Sequence, residues 1–295
     1  MDTNSKSSNN TGIILISHGS TLPYGEETFN EIKEKFIEKS NLASEVGYMK
    51  VSNPTIAGAV EILKSEVDDL NRIIALPVFL APGIHTKIDI PILLGLKPLE
   101  IDPRCPDGNY PSKHYLSIAD DVDFDGEIEL LSPIGPDDRL VDIINKRIDD
   151  ALEESELCDV ETGVLIISHG SRLNYNKEFT QTLFNKFEKT TDYPCNFGFM
   201  ELCDPSIPES VNKLTNENNI KRLIVVPVFI ALGMHTTHDI PHILGLTEQH
   251  SHSHSHNHSH DLTPVDFDGE ILYPNPIGAD DILIDILISK VNEKL

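Results

Sequence analysis

The strongest constraint on this chain is that it contains one long stretch twice. Residues 223–246 read LIVVPVFIALGMHTTHDIPHILGL, and residues 73–96 read IIALPVFLAPGIHTKIDIPILLGL. A repeat this long is a domain duplication, well outside the periods of solenoid repeats. Each copy opens with an apolar, β-branched run, residues 223–229 in the second, which is the pattern of a parallel strand buried on both faces. Pro227 marks the strand's end or an irregularity in it. Gly233 closes the run, and His235 and His238 follow, one helical turn apart. Asp239 then stands where an N-cap is expected, with Pro241 just inside the next helix. Two imidazoles, His235 and His238, both candidate metal ligands, are thus delivered to the carboxyl end of a buried strand, where open α/β sheets bind their ligands. The first copy has His85 at the position of His235 but Ile88 at that of His238.

The rest of the chain duplicates in step. Residues 12–20 (GIILISHGS) match 163–171 (GVLIISHGS), each a short buried strand running into a turn. Tyr24 and Tyr175 follow at the same offset and open amphipathic helices over about 26–39 and 177–189. Second strands are expected at 46–49 and 197–200. Pro54 and Pro205 start second helices that end near Leu70 and Asn216. After the third strand each copy has a long insertion. In the first it spans about 97–122; in the second it contains HSHSHSHNHSH, residues 250–260. Both copies resume with Asp-Phe-Asp-Gly-Glu-Ile, then Pro-Ile-Gly, an acidic pair and a closing helix. Strands alternating with helices four times per copy predict an α/β fold of two lobes, each a four-stranded, mainly parallel sheet flanked by helices. The expected boundaries are 12–156 and 163–295, joined by the acidic segment 156–163.

The net charge of −25 argues against a nucleic-acid partner, which needs basic patches. No apolar run approaches the ~20 residues that span a bilayer, so no membrane partner is expected. The polar start MDTNSKSSNNTG has no signal-peptide core, and the four cysteines lack C-x-x-C spacing. Both point to a cytoplasmic, reducing setting.

His18 and His169 end the first strands; His85 and His235 lie just past the third. In a parallel sheet these positions emerge at one edge, so the two histidines of a copy can converge. Neutral imidazole suits Ni, Co, Zn or Fe, and two imidazoles leave coordination positions open, unlike a closed structural site. A histidine after a strand can instead simply cap a turn; its retention twice in both copies favours the metal. Glu201, after the second strand, is a candidate proton acceptor, with Lys50 as its twin. Ser20 and Ser171 precede helices, where anionic groups are favoured, and Tyr24 and Tyr175 could line a pocket. Alternating His and polar residues cannot build a core, so His250, His252, His254, His256, His258 and His260 read as a metal-scavenging loop. There is no G-x-S-x-G elbow, no G-x-G-x-x-G and no Walker pattern.

The S-H-G-S, P-V-F-x-A-x-G-x-H-T and D-I-P-x-L/I-L-G-L segments resemble the class II chelatases acting on sirohydrochlorin, the small archaeal cobalt/nickel chelatases above all. The resemblance covers about residues 12–295. It implies a chelatase fold in which two similar lobes face one tetrapyrrole cleft, here fused into a pseudo-dimer that is a monomer in solution. It also implies that His169 and His235 are the metal ligands and catalytic residues of the second lobe, and His18 and His85 the ligands of the first. Ile88, Lys50 and the missing His tract are the first lobe's departures.

The implied chemistry is insertion of Ni2+ or Co2+ into sirohydrochlorin with release of two protons, toward a nickel tetrapyrrole coenzyme or cobalamin. The metal is a substrate, and no tightly bound cofactor is expected. The cleft also needs positive charge for the tetrapyrrole carboxylates, for which Lys50, Lys87, Arg172 and Lys177 are candidates. One rival is a metal-storage or metallochaperone protein working through the His tract. A second is a metal-dependent hydrolase, which requires an acidic ligand beside each histidine pair.

Overall fold

The computed structural model describes residues 10–247 and 264–295. The first half runs β1 (Thr11–Ser17), α1 (Pro23–Ser40), β2 (Ser44–Tyr48), α2 (Ile56–Glu66) and β3 (Arg72–Pro77). It continues with a π-helical turn (His85–Asp89) leading into α3 (Ile90–Leu93), then α4 (Tyr115–Ile118), β4 (Glu127–Leu130) and α5 (Arg139–Glu153). The second half repeats the order: β5 (Thr162–Ser168), α6 (Asn174–Phe187), β6 (Cys195–Phe199), α7 (Ile207–Glu217) and β7 (Arg222–Pro227). A second π-helical turn (His235–Asp239) leads into α8 (Ile240–Ile243), followed by β8 (Glu270–Leu272) and α9 (Asp281–Asn292).

Each half builds a four-stranded parallel sheet, ordered β2-β1-β3-β4 and β6-β5-β7-β8. The chain therefore leaves β1 toward one side and β3 toward the other. That reversal opens a crevice at the carboxyl ends of β1 and β3, where doubly wound sheets bind ligands. Pro77 and Pro227 are the last residues of β3 and β7; a proline there removes no ladder donor that the core needs.

The strands are apolar along their whole length because both faces are covered. Ile13, Leu15, Ile74 and Leu76 point to one face; Ile14, Ile16, Ile73 and Ala75 point to the other, against α2 and α3. The same alternation sends Val164, Ile166, Ile224 and Val226 to the first kind of face in the second half. Those two faces, with α1, α5, α6 and α9, share a single apolar layer, so the halves are joined by core and not merely by a linker. Phe36 and Phe187 sit in it fully buried, and truncating such a residue costs about 3–5 kcal/mol.

The contacts between halves are reciprocal. Lys35 of α1 donates to the Ala279 carbonyl at 2.8 Å, and its twin Lys186 of α6 donates to the Pro136 carbonyl at 2.6 Å. Residues meeting their own counterparts' partners are the mark of an isologous, two-fold interface. Symmetry is broken nearby: Asp280 takes Lys146 at 2.7 Å and Arg147, whereas Asp137 is held by Arg139 of its own half. Among the described residues no helix is long and apolar enough to cross a membrane.

Candidate functional site

The two crevices face each other across the pseudo-two-fold and merge into one cleft of about 620 Å³, lined by His18, His85, His169 and His235. The glycine after each first histidine sets the geometry. Gly19 and Gly170 have φ of +88° and +92°, and a Cβ there would stand 1.9 Å from the Lys50 carbonyl oxygen and 1.7 Å from that of Glu201. Only glycine permits this approach, and it brings residue 50 or 201 beside the histidine.

The second histidines ride on the π-helical turns. Thr86 and Thr236 close the entry by accepting from the Gly83 and Gly233 amides, each at 2.9 Å. Asp239 is not the expected N-cap. It has helical φ and ψ (−67°, −48°) and caps nothing. Pro241 lacks the amide that would continue the ladder, and the Thr236 carbonyl instead accepts from the Tyr273 hydroxyl at 3.1 Å. In the widened turn Asp239 falls back onto His235 and accepts from Nδ1 at 2.7 Å; Asp89 does the same to His85 at 2.5 Å. The retained H-x-x-x-D spacing was the sequence signal for this role.

Tautomers follow from the partners. His18 and His169 place Nδ1 against the carbonyl oxygens of Gly19 (2.9 Å) and Gly170 (3.1 Å), which can only accept. All four rings therefore carry the proton on Nδ1 and keep the Nε2 lone pair for a ligand, as oriented metal-binding histidines do. Ring centroids are 5.0 Å apart for His18 and His85, and 4.8 Å for His169 and His235. An ion ~2.1 Å from two imidazole nitrogens lies roughly 3.2 Å from each ring centre, so these separations give a ligand angle of roughly 100°, suited to tetrahedral or octahedral coordination. Among the described residues no group of three or more His, Cys, Asp or Glu closes around an ion. The pairs are open sites, and the aspartates sit behind the rings rather than beside the lone pairs.

The two pairs differ in charge. Burial, against the pull of the Gly19 bond and with help from Lys50 and His85, pushes His18 down to about 4. His169 is also lowered, by burial and then by His235, while its Nε2 lies 3.7 Å from Glu201 Oε1. His235 is raised, chiefly by its bond to Asp239. Asp89 is fully buried, and burial alone would raise it; bonds from His85, Arg104 and Tyr115 hold it low. Arg104 comes from the insertion and is itself held by Asp102 at 2.8 Å, with Tyr110 donating to Asp102 at 2.7 Å. No pattern in the sequence pointed to this clamp. Asp239 has no such cover, its side chain being 40% exposed.

The remaining candidates fall as follows. His238 is exposed and outside the cleft lining, so it does not join His235; His169 is the partner. Ser20 and Ser171 line the cleft, but each Oγ accepts from the amide two residues on, at 3.0 and 3.1 Å. Tyr24 and Tyr175 do not line it. Tyr175 instead bonds Lys87 and Glu100 at its edge, each at 2.9 Å. Lys50 lies 5.2 Å over the Tyr115 ring, and Arg172 and Lys177 are exposed outside the lining. Histidines 250, 252, 254, 256, 258 and 260 lie outside the described residues.

A family model, CbiX, matches this chain twice, over residues 12–151 and 163–294. The chain belongs to the CbiX family. Curated relatives match one half of this CbiX-family chain at a time. The sirohydrochlorin cobaltochelatase of Methanothermobacter thermautotrophicus is 43% identical over 133 residues, 45% of this chain and 92% of the relative. That of Methanopyrus kandleri is 44% identical over 138 residues, 45% and 96%. Among solved structures, SirB from Bacillus subtilis with Fe3+ aligns with a TM-score of 0.66 at 17% identity, covering 96% of this chain and 94% of that one. The sirohydrochlorin chelatase SirB in complex with cobalt aligns with a TM-score of 0.61 at 18% identity, again over 96% and 94%. At such identities the likeness is one of fold: two lobes in one chain.

Proposed function

We propose that this CbiX-family chain is a chelatase that inserts a divalent ion, Co2+ or Ni2+, into sirohydrochlorin. The observation that carries the reading is the pairing of two-histidine sites, each with its Nε2 lone pairs free, on opposite walls of one cleft. A volume of about 620 Å³ suits a cofactor-sized ligand, far beyond what holding an ion requires. The relatives' activity on sirohydrochlorin supports the substrate. Borderline imidazole ligands accept cobalt and nickel alike.

In this account His169 and His235 hold the incoming ion, with water in its other positions. Insertion forms metal–nitrogen bonds to the macrocycle as its two inner N–H groups lose their protons. Glu201, beside His169, takes the first proton, and an imidazole freed by the departing ion takes the second. Two imidazoles hold the ion loosely enough for four macrocycle nitrogens to win it. The tract at 250–260 supplies metal to the second lobe. The reciprocal contacts between halves support a chain that works as a monomer, with each half standing for a subunit. The unpaired cysteines suit the cytoplasm.

The test is absorbance of sirohydrochlorin mixed with the purified protein and Co2+, Ni2+ or Fe2+ in separate cuvettes. A protein-dependent shift to the metallated spectrum with Co2+ or Ni2+ is expected. A protein that accelerates none of the three is not a chelatase.

A further inference from the structure

The first lobe lacks a hydrogen-bond acceptor that the second lobe supplies from its own chain. In the second lobe, Asn176 Oδ1 accepts from the Ser168 hydroxyl at 3.3 Å and the Gly170 amide at 3.1 Å. The twin of Asn176 is Gly25, which has no side chain to offer. A Cβ at Gly25 would lie 2.8 Å from the Ser20 Cβ, so no acceptor side chain fits there without a shift. Ser17 and Gly19 are the twins of the two donors, and both line the cleft. Among the described residues neither the Ser17 hydroxyl nor the Gly19 amide finds the acceptor that its twin has.

A third donor stands beside them. Tyr48, whose twin is Phe199, is only 2% exposed, yet its hydroxyl has no hydrogen-bond partner among the described residues. Tyr48 pairs with Ser17 in strand register, on the same sheet face, and lines the same cleft. Burial and the charges of Glu26 and Glu45 push its hydroxyl up to about 12, so it stays a neutral donor. Leaving a buried hydroxyl unbonded costs about 1–3 kcal/mol, and Phe at the twin position shows that the fold does not need the oxygen.

We propose that Ser17, the Gly19 amide and Tyr48 form a subsite in the first lobe that binds a carboxylate arm of the tetrapyrrole. This rests on the chelatase reading and adds the wall that orients the macrocycle. A carboxylate oxygen replaces the missing Asn176-like acceptor, and Lys50, close enough to act on His18, offsets the nearby Glu26. The second lobe, with Asn176 in place, offers no equivalent. The asymmetry would fix which face of the substrate meets His169 and His235.

The experiment is titration of metal-free sirohydrochlorin into the full-length protein, followed by fluorescence, for wild type, Tyr48→Phe and Ser17→Ala. Each variant is expected to raise Kd about tenfold, the loss of one hydrogen bond to a charged group. Esterifying the pigment's carboxylates should narrow that difference. Thermal melts of the free proteins supply the second readout. Tyr48→Phe should melt no lower than wild type, since the hydroxyl it removes is unpartnered. Unchanged Kd in both variants, or a lowered melting temperature with unchanged Kd, overturns the subsite while leaving the chelatase reading intact. A wild type that does not bind the pigment removes both.

Discussion

The two aspartates behind the histidines look alike in sequence but should respond oppositely to Asp→Asn. Asp239 is 40% exposed and its one described partner is His235 Nδ1. Its loss should leave folding within about 0.5 kcal/mol of wild type. The ring, however, loses the carboxylate that fixes its tautomer and strengthens Nε2, a change that typically weakens metal binding about 10–100-fold. That is about 1.4–2.7 kcal/mol of affinity. Asp89 is fully buried and engages Arg104, Tyr115 and His85. Removing one partner of a buried pair costs about 3–5 kcal/mol. Arg104 is 33% exposed and keeps Asp102, so the low end, about 3 kcal/mol, is the expectation. The assay is Co2+ titration against a competing chelator, with a thermal melt on each variant. Asp239→Asn should lose affinity and keep its melting temperature. Asp89→Asn should melt several degrees lower, at about 2 °C per kcal/mol for a chain of this size. Equal melting losses, or an Asp239→Asn variant that binds Co2+ like wild type, would refute the reasoning.

Three further outcomes are expected. His235→Ala and His169→Ala should reduce chelation to a similar and large degree, and His85→Ala much less; equal losses from His85→Ala and His235→Ala would mean that the lobes share the work. Chelation should fall as pH drops below neutral, because His235, raised above its usual 6.5, protonates first and loses its lone pair; a rate flat from pH 8 to pH 5 would contradict this. His18, depressed to about 4, stays neutral across that window in the folded state. Between its ordinary 6.5 and about 4 the unfolded chain takes up the proton and the folded chain does not, so stability is lost as pH falls through that window, read as a lowered melting temperature. Deleting 250–260 should raise the metal concentration needed for half-maximal rate and leave the rate at saturating metal unchanged; loss of all metal binding would favour a storage protein.

Much of this was legible in the sequence, for a physical reason. Strands such as 13–16 are apolar on both faces, so their run length and the histidine after them are readable without tertiary information, and duplication doubles every signal. The switch points between β1 and β3 and between β5 and β7 follow from alternating strands and helices, and they are what bring His18 to His85 and His169 to His235. Local pattern misled where two rules share a signature. Asp-Ile-Pro is a helix-start pattern, but within a π-helical turn the aspartate folds back to its histidine. His238 read as a partner by helical spacing, yet the turn's width sends it outside. Arg104 and Tyr115 were not legible, because an insertion without periodicity gives no clue to which buried carboxylate it will cover. Nor was the Gly25–Asn176 difference, which gains meaning only when both lobes' hydrogen bonds are compared.

The most direct measurement of the central claim is the initial rate of metallo-sirohydrochlorin formation at limiting Co2+, for wild type, a His169→Ala/His235→Ala double variant and no protein. The account predicts that wild type far exceeds the protein-free rate. It also predicts that the double variant, correctly folded and still binding the pigment, falls most of the way back to it. A double variant that keeps the wild-type rate would contradict the assignment of metal handling to this histidine pair.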